Sequence, residues 1–371
     1  MLTVDRTPVR LDVEIRAEGE FDFLSSEYRD LYASSAATAF QAPLWMHMVH
    51  SRLAPGLNAR QHTLVVRDRS DRSLLAVLPF VLQKSMGMEI LQPADFGVCD
   101  YNSVVADDKT LATMAADADL LSRLDDFTKG CDLLLFRKVR EDGFDVGRLF
   151  PKARNTPAEN EAYLSELGDD FEEWRRQTIR KKFSKELGRL QRQVDRDFGG
   201  YQHRAATSEA DIRAAFDFLK IWRQGRFEED LLDKPLYFDF YRDYAIAAAA
   251  TGEAITYVSY VAGKPVALLF GVAGDGEFHA VLIGSDTENF GKFSVGTQII
   301  YQVIKQRFDV GFRRFDMGLG NTGYKSHFRV EATALRNYTR TRSVPGSVMA
   351  MVYHHAKPMK NFLRKYAPNV R

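Results

Sequence analysis

Residues 255–286 constrain the fold more strongly than any other part of the chain. Their sequence, ITYVSYVAGKPVALLFGVAGDGEFHAVLIGSD, contains three runs rich in aliphatic and aromatic residues. Such runs are typical of strands, and the glycine-containing turns at 262–264 and 274–276 separate them. Strands joined by tight turns lie antiparallel. The stretch therefore predicts a three-stranded antiparallel meander.

A strand–loop–helix unit is predicted after the meander. Residues 292–308, KFSVGTQIIYQVIKQRF, indicate a helix, and RRFDMG at 313–318 is typical of a further strand. The first turn of a helix has free N–H groups and a partial positive charge, which attract phosphate. Ser294 can cap this helix, Gly296 allows close backbone approach, and Thr297 adds a hydroxyl. The same residues also fit an ordinary helix start, with Ser294 as a plain N-cap and Gly296 as a packing glycine. A phosphate site and an ordinary helix start therefore both stay open.

The length of the chain, 371 residues, indicates two domains. The polar tract 145–163 contains two prolines and predicts a boundary. We expect a first lobe at 1–150, a linker with a basic helix at 151–206, and a second lobe at 207–371.

Strand and helix patterns mix in both lobes, which indicates an α/β (α+β) fold class. In the first lobe the patterns predict strands at 10–16, 62–68, 74–84, 88–92 and 131–139, and helices at 21–35 and 109–129. Beyond the meander they predict helices at 208–226, 235–250, 295–308 and 347–366, and a strand at 335–342.

The linker carries a strongly basic amphipathic helix at 171–198. Apolar residues recur at helical spacing in it, and nine Lys or Arg lie within 175–196. A solvated charged face explains this pattern, because acidic residues are interspersed. Contact with an anionic partner, either RNA or an anionic membrane surface, is the alternative.

Composition narrows the remaining classes. The formal net charge is +1, so the chain as a whole has no general attraction to nucleic acid or membranes. The two cysteines match neither a disulfide framework nor a metal site, and His47 and His50 lack a third ligand, so we expect no metal. The N-terminal residues lack a continuous apolar core, and no apolar run approaches the ~20 residues of a membrane helix. We therefore expect a reduced, cytoplasmic protein without an integral membrane segment.

The second half of the chain resembles a known superfamily. The segments IWRQGRF at 221–227, the meander, and the run from Phe293 to Phe328 are similar to GCN5-related N-acetyltransferases (GNAT). More narrowly, they resemble the bacterial cellulose-biosynthesis CelD/BcsL-like branch, as do the basic helix, FQAPLWMHMVH and DFGVCDYNSVV. The resemblance covers nearly the whole chain. It implies two tandem GNAT-like lobes, each a mixed, mostly antiparallel sheet flanked by helices, as in Fem-type transferases.

The resemblance also implies roles for particular residues. Acyl transfer from a thioester needs a base for the acceptor's proton, donors for the oxyanion and an acid for the leaving thiolate. The implied residues are Asp316, Tyr324 and His327 for catalysis; Ser294, Val295, Gly296, Thr297, Gln298 and Lys325 for the cofactor; and Asp100, Tyr101, Trp222, Arg223 and Arg226 for the acceptor. Each has a structural alternative: Asp316 as a loop cap, Tyr324 as a packing residue, and Lys325 as a solvated charge.

The implied function is acyl transfer by a GNAT-type enzyme (EC 2.3.1). Acetyl-CoA or another acyl-CoA would be the donor, and an amine or hydroxyl of a small molecule or of a cell-envelope or polysaccharide precursor the acceptor. The pyrophosphate loop departs from the family pattern, because Thr297 and Gln298 follow Gly296 where a second small residue is usual. Fem-type relatives use aminoacyl-tRNA instead, so a tRNA-dependent transferase stays open. A non-catalytic binding protein with this fold is a further alternative.

Overall fold

The structure is a computed structural model, and it describes residues 10–226, 230–274, 276–320 and 323–354. The chain divides into two compact units. The first contains the residues up to 159 together with those from 334 onward, and the second contains 160–333. The boundaries of these two units, at 159/160 and 333/334, differ from the predicted boundaries at 150 and 206.

Two strands explain why the boundaries differ from the prediction. Strand β9, Ala162–Glu166, falls in the predicted linker but pairs antiparallel with β14, Arg314–Leu319, in the second unit. Strand β16, Leu335–Thr341, falls in the predicted second lobe but pairs with β7, Leu133–Arg140, in the first unit. Backbone hydrogen bonds with strands far along the chain decide the units, and such partners cannot be read from local patterns.

The first unit contains nine of the described strands in two sheets, ordered β1-β3-β4 and β2-β5-β6-β7-β16-β8. Besides β7 and β16, its strands are β1 Val13–Glu18, β2 Ala59–Gln61, β3 Thr63–Asp68, β4 Leu74–Leu78, β5 Phe80–Ser85, β6 Met88–Pro93 and β8 Arg154–Pro157. Its helices are α1 Ser26–Ala33, α2 Pro43–Met48, α3 Ala54–Gly56, α4 Asp108–Ala116 and α5 Ala118–Phe127, with a π-helical turn at Val49–Leu53 and a helix at 344–354. One core cluster connects both sheets with α4 and α5.

The second unit has one seven-stranded sheet, ordered β10-β11-β12-β13-β14-β9-β15. Besides β9 and β14, its strands are β10 Tyr201–Ala206, β11 Ala254–Val261, β12 Lys264–Gly274, β13 Glu277–Ser285 and β15 Glu331–Thr333. Its helices are α6 Phe171–Thr178, α7 Lys181–Phe198, α8 Glu209–Arg223, α9 Pro235–Ala248, α10 Thr287–Phe290 and α11 Val295–Asp309. The predicted meander is confirmed as β11–β12–β13, with Asp275 of its second turn outside the described residues.

Helices cover both faces of the second sheet. On one face Leu190 of α7 and Ile299 of α11 pack in a cluster with Leu269 of β12. On the other face Phe216 of α8 and Tyr241 of α9 meet the neighbouring ring of Phe270 at centroid distances of 5.6 and 6.2 Å. Adjacent strand residues point to opposite faces, so the helices form two separate layers.

Three predicted elements are each two elements in the structure. Pro79 separates β4 from β5 in the predicted strand 74–84, and Asp117 caps α5 and so ends the predicted helix 109–129 in its middle. The predicted helix 171–198 stops at Ile179 and Arg180, whose backbones are extended. Ile179 is buried there in the same core as α6 and α7, which shows that burial overrides helical continuity. The predicted helix 347–366 lies outside the described residues beyond 354.

Candidate functional site

The site lies where β13 and β14 diverge. These two strands pair in parallel only from Glu277↔Arg314 to His279↔Asp316. Beyond this point the rest of β13 keeps its other neighbour, β12, but has no paired residue on β14. The divergence leaves an open wedge within the sheet, whose closed end is formed by His279 and Asp316.

A β-bulge stands at the start of the wedge. Phe270 pairs with Leu282 and Gly271 pairs with Ala280, so Val281 is an extra residue in β13. A Cβ atom on Gly271 would lie 2.3 Å from the Phe278 ring, so only glycine allows the two strands to approach here. The bulge redirects β13 away from β14.

Two cavities open along the wedge on the side of α11. The smaller, about 60 Å³, lies between the diverging strands and is lined by Val281, Leu282, Phe315 and Met317 among others. The larger, about 330 Å³, lies at the start of α11. Both are lined by Ile283, Ile300 and Tyr324, so the two cavities adjoin. The larger one brings together Arg226, Ser294, Val295, Gly296, Thr297 and Tyr324, all predicted from the sequence.

The start of α11 is open to an anion. Ser294 occupies the N-cap position with a φ of 54°, and its side chain makes no capping hydrogen bond. Its carbonyl accepts from the N–H groups of Thr297 and Gln298. The N–H groups of Val295 and Gly296 donate to no acceptor within the described part of the chain. Two free donors therefore face the cavity at the positive end of a 15-residue helix.

The end of α8 supplies positive charge to the same cavity. The Arg226 guanidinium is exposed, and Nη1 donates to the carbonyl of Ser285 at 3.2 Å. Arg223 is paired with Asp230 at 2.7 Å and donates to the carbonyl of Ile283 at 3.0 Å. The two arginines therefore bind carbonyls of β13 beside the wedge. The sequence placed both of them with the acceptor, whereas the structure places them beside the predicted cofactor residues.

Trp222 completes this end of α8. Its ring stacks on Phe218 with the centroids 5.5 Å apart. A Cβ atom on Gly284 would lie 2.7 Å from Leu219 and 3.6 Å from the Trp222 ring. Glycine at 284 thus lets α8 pack closely on β13, and Trp222 is a packing residue at this place.

Asp316 belongs to a row of ionisable side chains on the other face of the sheet. It is fully buried, Oδ1 accepts from the N–H of Gly318 at 2.6 Å, and Oδ2 lies 3.4 Å from Nδ1 of His279. Nε2 of His279 lies 3.4 Å from Glu277, whose carboxylate pairs with Arg314 at 3.2 Å. The sequence missed His279 and Glu277. Their alternation in β13 was visible, but the register that brings them to Asp316 was not.

The same three side chains are also a candidate set of metal ligands. Glu277, His279 and Asp316 each offer one ligand atom, and these atoms lie within 4.8 Å of one another. Two carboxylates and an imidazole are chemically suited to a divalent cation. Without a cation, Arg314 balances the charge of Glu277, and the His279 ring lies between the two carboxylates.

Tyr324 and Lys325 have different environments although they are adjacent. Tyr324 lines both cavities. Lys325 is 2% exposed, and Nζ donates to the carbonyls of Gly318, Leu319 and Gly320 at 2.7–3.1 Å. An ammonium group has three N–H donors, and these three carbonyls engage all of them. Lys325 therefore fixes the end of β14 and is neither a solvated charge nor placed to bind phosphate.

Two further predicted residues lie away from the larger cavity. Gln298 is buried and donates from Nε2 to the carbonyl of Phe293 at 2.8 Å, so its amide stabilises the start of α11. His327 stacks on Phe183 of α7 with the ring centroids 4.2 Å apart. It lies on the α7 side, while Asp316 points to the opposite face.

The geometry of the second unit agrees with the comparisons with known proteins. Residues 181–326 match the family described as "Acetyltransferase (GNAT) domain". This part of the chain is therefore similar to GNAT-type acetyltransferase domains. The match runs from the start of α7 to Ser326, so it contains the wedge, both cavities and Asp316. No curated protein sequence matches the chain.

Solved structures resemble the chain over both units. FemX aligns with a TM-score of 0.64 at 10% identity, over 91% of this chain and 99% of its own. A conserved protein of unknown function from Bacteroides thetaiotaomicron VPI-5482 has a TM-score of 0.57 at 11% identity, over 88% and 99%. The protein L-PGS from Bacillus licheniformis has a TM-score of 0.54 at 13% identity, over 89% and 96%. The predicted fold class, two tandem GNAT-like lobes, is confirmed.

Two predicted acceptor residues lie in the first unit, outside the matched GNAT domain. Tyr101 is 1% exposed, its carbonyl accepts from Gln41, and Arg140 lies 5.3 Å from its ring centre. The neighbouring Asp100 is half-buried. Their role in acceptor binding stays a prediction. Cys99 beside them is fully buried and accepts from Trp45 Nε1, and burial raises the pKa of its thiol, so it is unsuited to be a nucleophile.

None of the helices that the structure describes is long and apolar enough to cross a membrane.

Proposed function

We propose that this chain is an acyltransferase whose second unit binds acyl-CoA and transfers the acyl group to an amine or hydroxyl. The observation that carries the proposal is the pair of adjoining cavities running from the start of α11 into the wedge between β13 and β14. A phosphate-binding end and a narrow apolar slot suit a ligand with a pyrophosphate and a long thin arm. The GNAT match over 181–326 supports the same class of donor.

The pyrophosphate would lie at the start of α11. The free N–H groups of Val295 and Gly296 would donate to it, with Thr297 adding a hydroxyl and Arg226 its charge. The pantetheine arm would follow the wedge past Val281 and Met317. The thioester would then reach the closed end, beside His279 and Asp316.

The acceptor would approach from the opposite face of the sheet. Phe315 and Met317 line the donor slot, and Asp316 between them points the other way because strand side chains alternate. We assign Asp316 as the base that takes the acceptor's proton, with His279 beside it orienting the carboxylate. Tyr324, which lines the donor cavities, would protonate the leaving thiolate. The acceptor class is a small molecule or a cell-envelope or polysaccharide precursor, and Asp100 and Tyr101 stay candidates for binding it.

Calorimetric titration with acetyl-CoA tests the proposal. We expect micromolar affinity, about −8 kcal/mol, for the wild type. Gly296→Trp should abolish binding because the indole fills the cavity next to Ser285, whose Oγ would lie 3.0 Å from a Cβ at position 296. Gly130→Trp in the first unit is the matched control, since nothing lies within 4 Å of its Cβ position. An absence of binding to the wild type would overturn acyl-CoA as the donor.

A second candidate function is transfer from aminoacyl-tRNA. It is favoured by one observation at the start of α7. Arg180, Lys181, Lys182 and Lys185 are exposed, and the described residues place no carboxylate within ion-pair distance of them. Four cations on the first turns of a helix oppose its dipole, and a polyanion would relieve that repulsion.

Salt dependence separates the two candidates. Binding of tRNA should weaken steeply with salt, and reversing Lys181 and Lys182 to glutamate should reduce the slope of log K against log salt by about 1.4–1.8 if two phosphate contacts are lost. Acetyl-CoA affinity should not change in this variant, because these lysines lie outside the donor cavity. A wild type that binds neither ligand would favour a non-catalytic binding protein.

A further inference from the structure

Helix 344–354 in the first unit is apolar on two opposite faces. Its inner face packs Ala350 against Ile90, Leu133 and Leu135 of the sheet. Its outer face carries four exposed side chains, which we call the outer stripe: Val344 (78%), Val348 (53%), Met351 (58%) and Val352 (51%). They are four of the nine large apolar side chains that are exposed among the described residues. A helix with two apolar faces is normally covered on both, and such clustered exposure marks a contact surface.

The charged residues that follow Glu331 in the sequence are exclusively basic. The sequence has no Asp or Glu after Glu331. Over the same stretch it has eight Lys or Arg: Arg336, Arg340, Arg342, Lys357, Lys360, Arg364, Lys365 and Arg371. The whole chain has a net charge of only +1, so this excess is local. The cations from 357 onward lie outside the described residues. Of the other three, Arg336 pairs with Glu141, and Arg340 and Arg342 share one carboxylate, Asp125, so the described part of this stretch keeps a small excess of positive charge.

A cavity of about 270 Å³ adjoins the outer stripe and carries the same charge. Its lining includes Met351 of the stripe together with Lys152, Arg154 and Arg340. Hydroxyl groups of Thr339, Thr341 and Ser347, and the His354 ring, complete the polar part. One carboxylate, Asp125, pairs with Lys152 at 3.1 Å, Arg340 at 3.6 Å and Arg342 at 2.5 Å. One negative charge thus faces several positive ones, which leaves capacity for a phosphate group.

We propose that helix 344–354 and this cavity form a contact site for an anionic lipid surface. The outer stripe would enter the boundary between headgroups and acyl chains, and the cavity would hold a lipid phosphate. Burial of apolar area and attraction to anionic lipid add together in such contacts. The helix would lie on the membrane rather than cross it.

Charge favours this occupant over the others. A nucleic acid would engage the cations but leave the four apolar side chains of the outer stripe in water. A second copy of this chain would bring a segment of the same positive charge, and like charges repel across an interface. An anionic bilayer satisfies both the apolar and the charged parts of the surface.

Vesicle co-sedimentation tests the proposal on the full chain. The wild type should bind vesicles of phosphatidylcholine and phosphatidylglycerol in equal parts, and should bind phosphatidylcholine vesicles at least about tenfold more weakly. The double variant Val348→Asp, Met351→Asp should lose binding to the mixed vesicles by about tenfold or more. Met86→Asp is the matched control, because Met86 is 80% exposed at a turn of the same unit. It should bind as the wild type does.

The opposite results would overturn the proposal. Equal binding of the wild type to both vesicle types would show that charge is not recognised, and an equal loss in Met86→Asp would show that the stripe is not special. Arg154→Glu should weaken binding to mixed vesicles only. If the wild type does not bind vesicles, and light scattering gives a lower particle mass for the double variant than for the wild type, the outer stripe is instead an interface between copies of the chain. If the double variant instead unfolds at a lower temperature without any vesicle effect, the stripe packs on the chain itself.

Discussion

Each unit has one parallel strand pair among its described strands, and the two pairs are completed in different ways. In the first unit β6 and β7 pair at Ile90↔Leu133 and Leu91↔Leu134. Beyond these residues, β7 is paired with the segment around Asn102, which donates to the carbonyls of Arg137 and Lys138. In the second unit the space beyond the β13–β14 pair is a cavity. One unit has filled the wedge that the other leaves open.

The starts of the helices that follow these strands also differ between the two units. After β6, helices α4 and α5 begin at Asp107 and Asp117, whose carboxylates accept hydrogen bonds from N–H groups of the first turn. After β13, helix α11 begins at Ser294 without a side-chain cap. A carboxylate uses the donors that a phosphate would need and repels its charge. The chemistry of the helix starts therefore supports the proposed donor site in the second unit, as the cavity does.

The largest predicted difference concerns the buried aspartates at the two strand pairs. Asp316→Asn should reduce turnover by about 10²–10⁴-fold, because an amide cannot take the acceptor's proton. Acetyl-CoA affinity should stay within about threefold, since Asp316 faces away from the donor slot. Steady-state kinetics beside calorimetry measures both. A variant that keeps its turnover would remove Asp316 from the mechanism.

The counterpart in the first unit should affect stability instead. Asp95 is fully buried, and Lys138 and Arg137 lie 3.1 and 3.5 Å from its carboxylate. Burial alone would raise the pKa of Asp95, but these cations and hydrogen bonds lower it to about 2. Asp95→Asn leaves two partly buried cations without their carboxylate and should cost about 3 kcal/mol in urea unfolding. Acetyl-CoA affinity at a temperature where the variant is folded should not change. Reduced affinity there would indicate that the first unit contributes to the donor site.

Local patterns predicted the residues that line the larger cavity better than the residues around Asp316. The sequence around Ser294, Gly296 and Thr297 indicated the start of α11 because strand, turn and helix start are adjacent in sequence. Tyr324 was found through the family resemblance and lines the same cavity. His279 was not predicted because its position beside Asp316 depends on the register between β13 and β14. The register of two strands far apart in the chain cannot be predicted from the sequence of either strand alone.

Burial explains the other differences between sequence and structure. Lys325 resembles a surface charge in the sequence, but three carbonyls at the end of β14 make its burial favourable. Arg226 turns to the carbonyl of Ser285 because the last turn of α8 packs on Gly284. Both outcomes depend on contacts between elements. Hydrophobic periodicity reports which face of a helix is buried but not what the polar residues at its end will meet.

A charge placed at the start of α11 should make the second unit resemble the first. Ser294→Asp puts a carboxylate beside the free N–H groups of Val295 and Gly296, as Asp107 and Asp117 do in the first unit. We expect acetyl-CoA affinity to fall by about 10–100-fold through repulsion of phosphate, roughly 1.4–2.7 kcal/mol. Ser294→Asn is the isosteric, uncharged control and should bind within a few-fold of the wild type. Equal losses in both variants would mean that shape rather than charge governs this position.

The last prediction compares a half-buried histidine in each unit. His50 is stacked on Phe23, and neither ring nitrogen has a hydrogen-bond partner among the described residues, whereas His203 Nδ1 lies 2.8 Å from the Ser259 hydroxyl. Burial lowers the pKa of His50 to about 3 and that of His203 to about 4. In both cases the unfolded chain, with a histidine pKa of about 6.5, binds more protons than the folded one, so stability falls as the pH falls from about 6.5 toward the folded pKa.

The variant His50→Phe tests this, because it keeps the stacked ring and removes the titrating group. The wild type should therefore lose about 2 kcal/mol more than this variant between pH 7 and pH 5, measured by urea unfolding. Parallel pH profiles for the two proteins would show that His50 is accessible to protons in the folded state, and would shift the acid sensitivity to other groups.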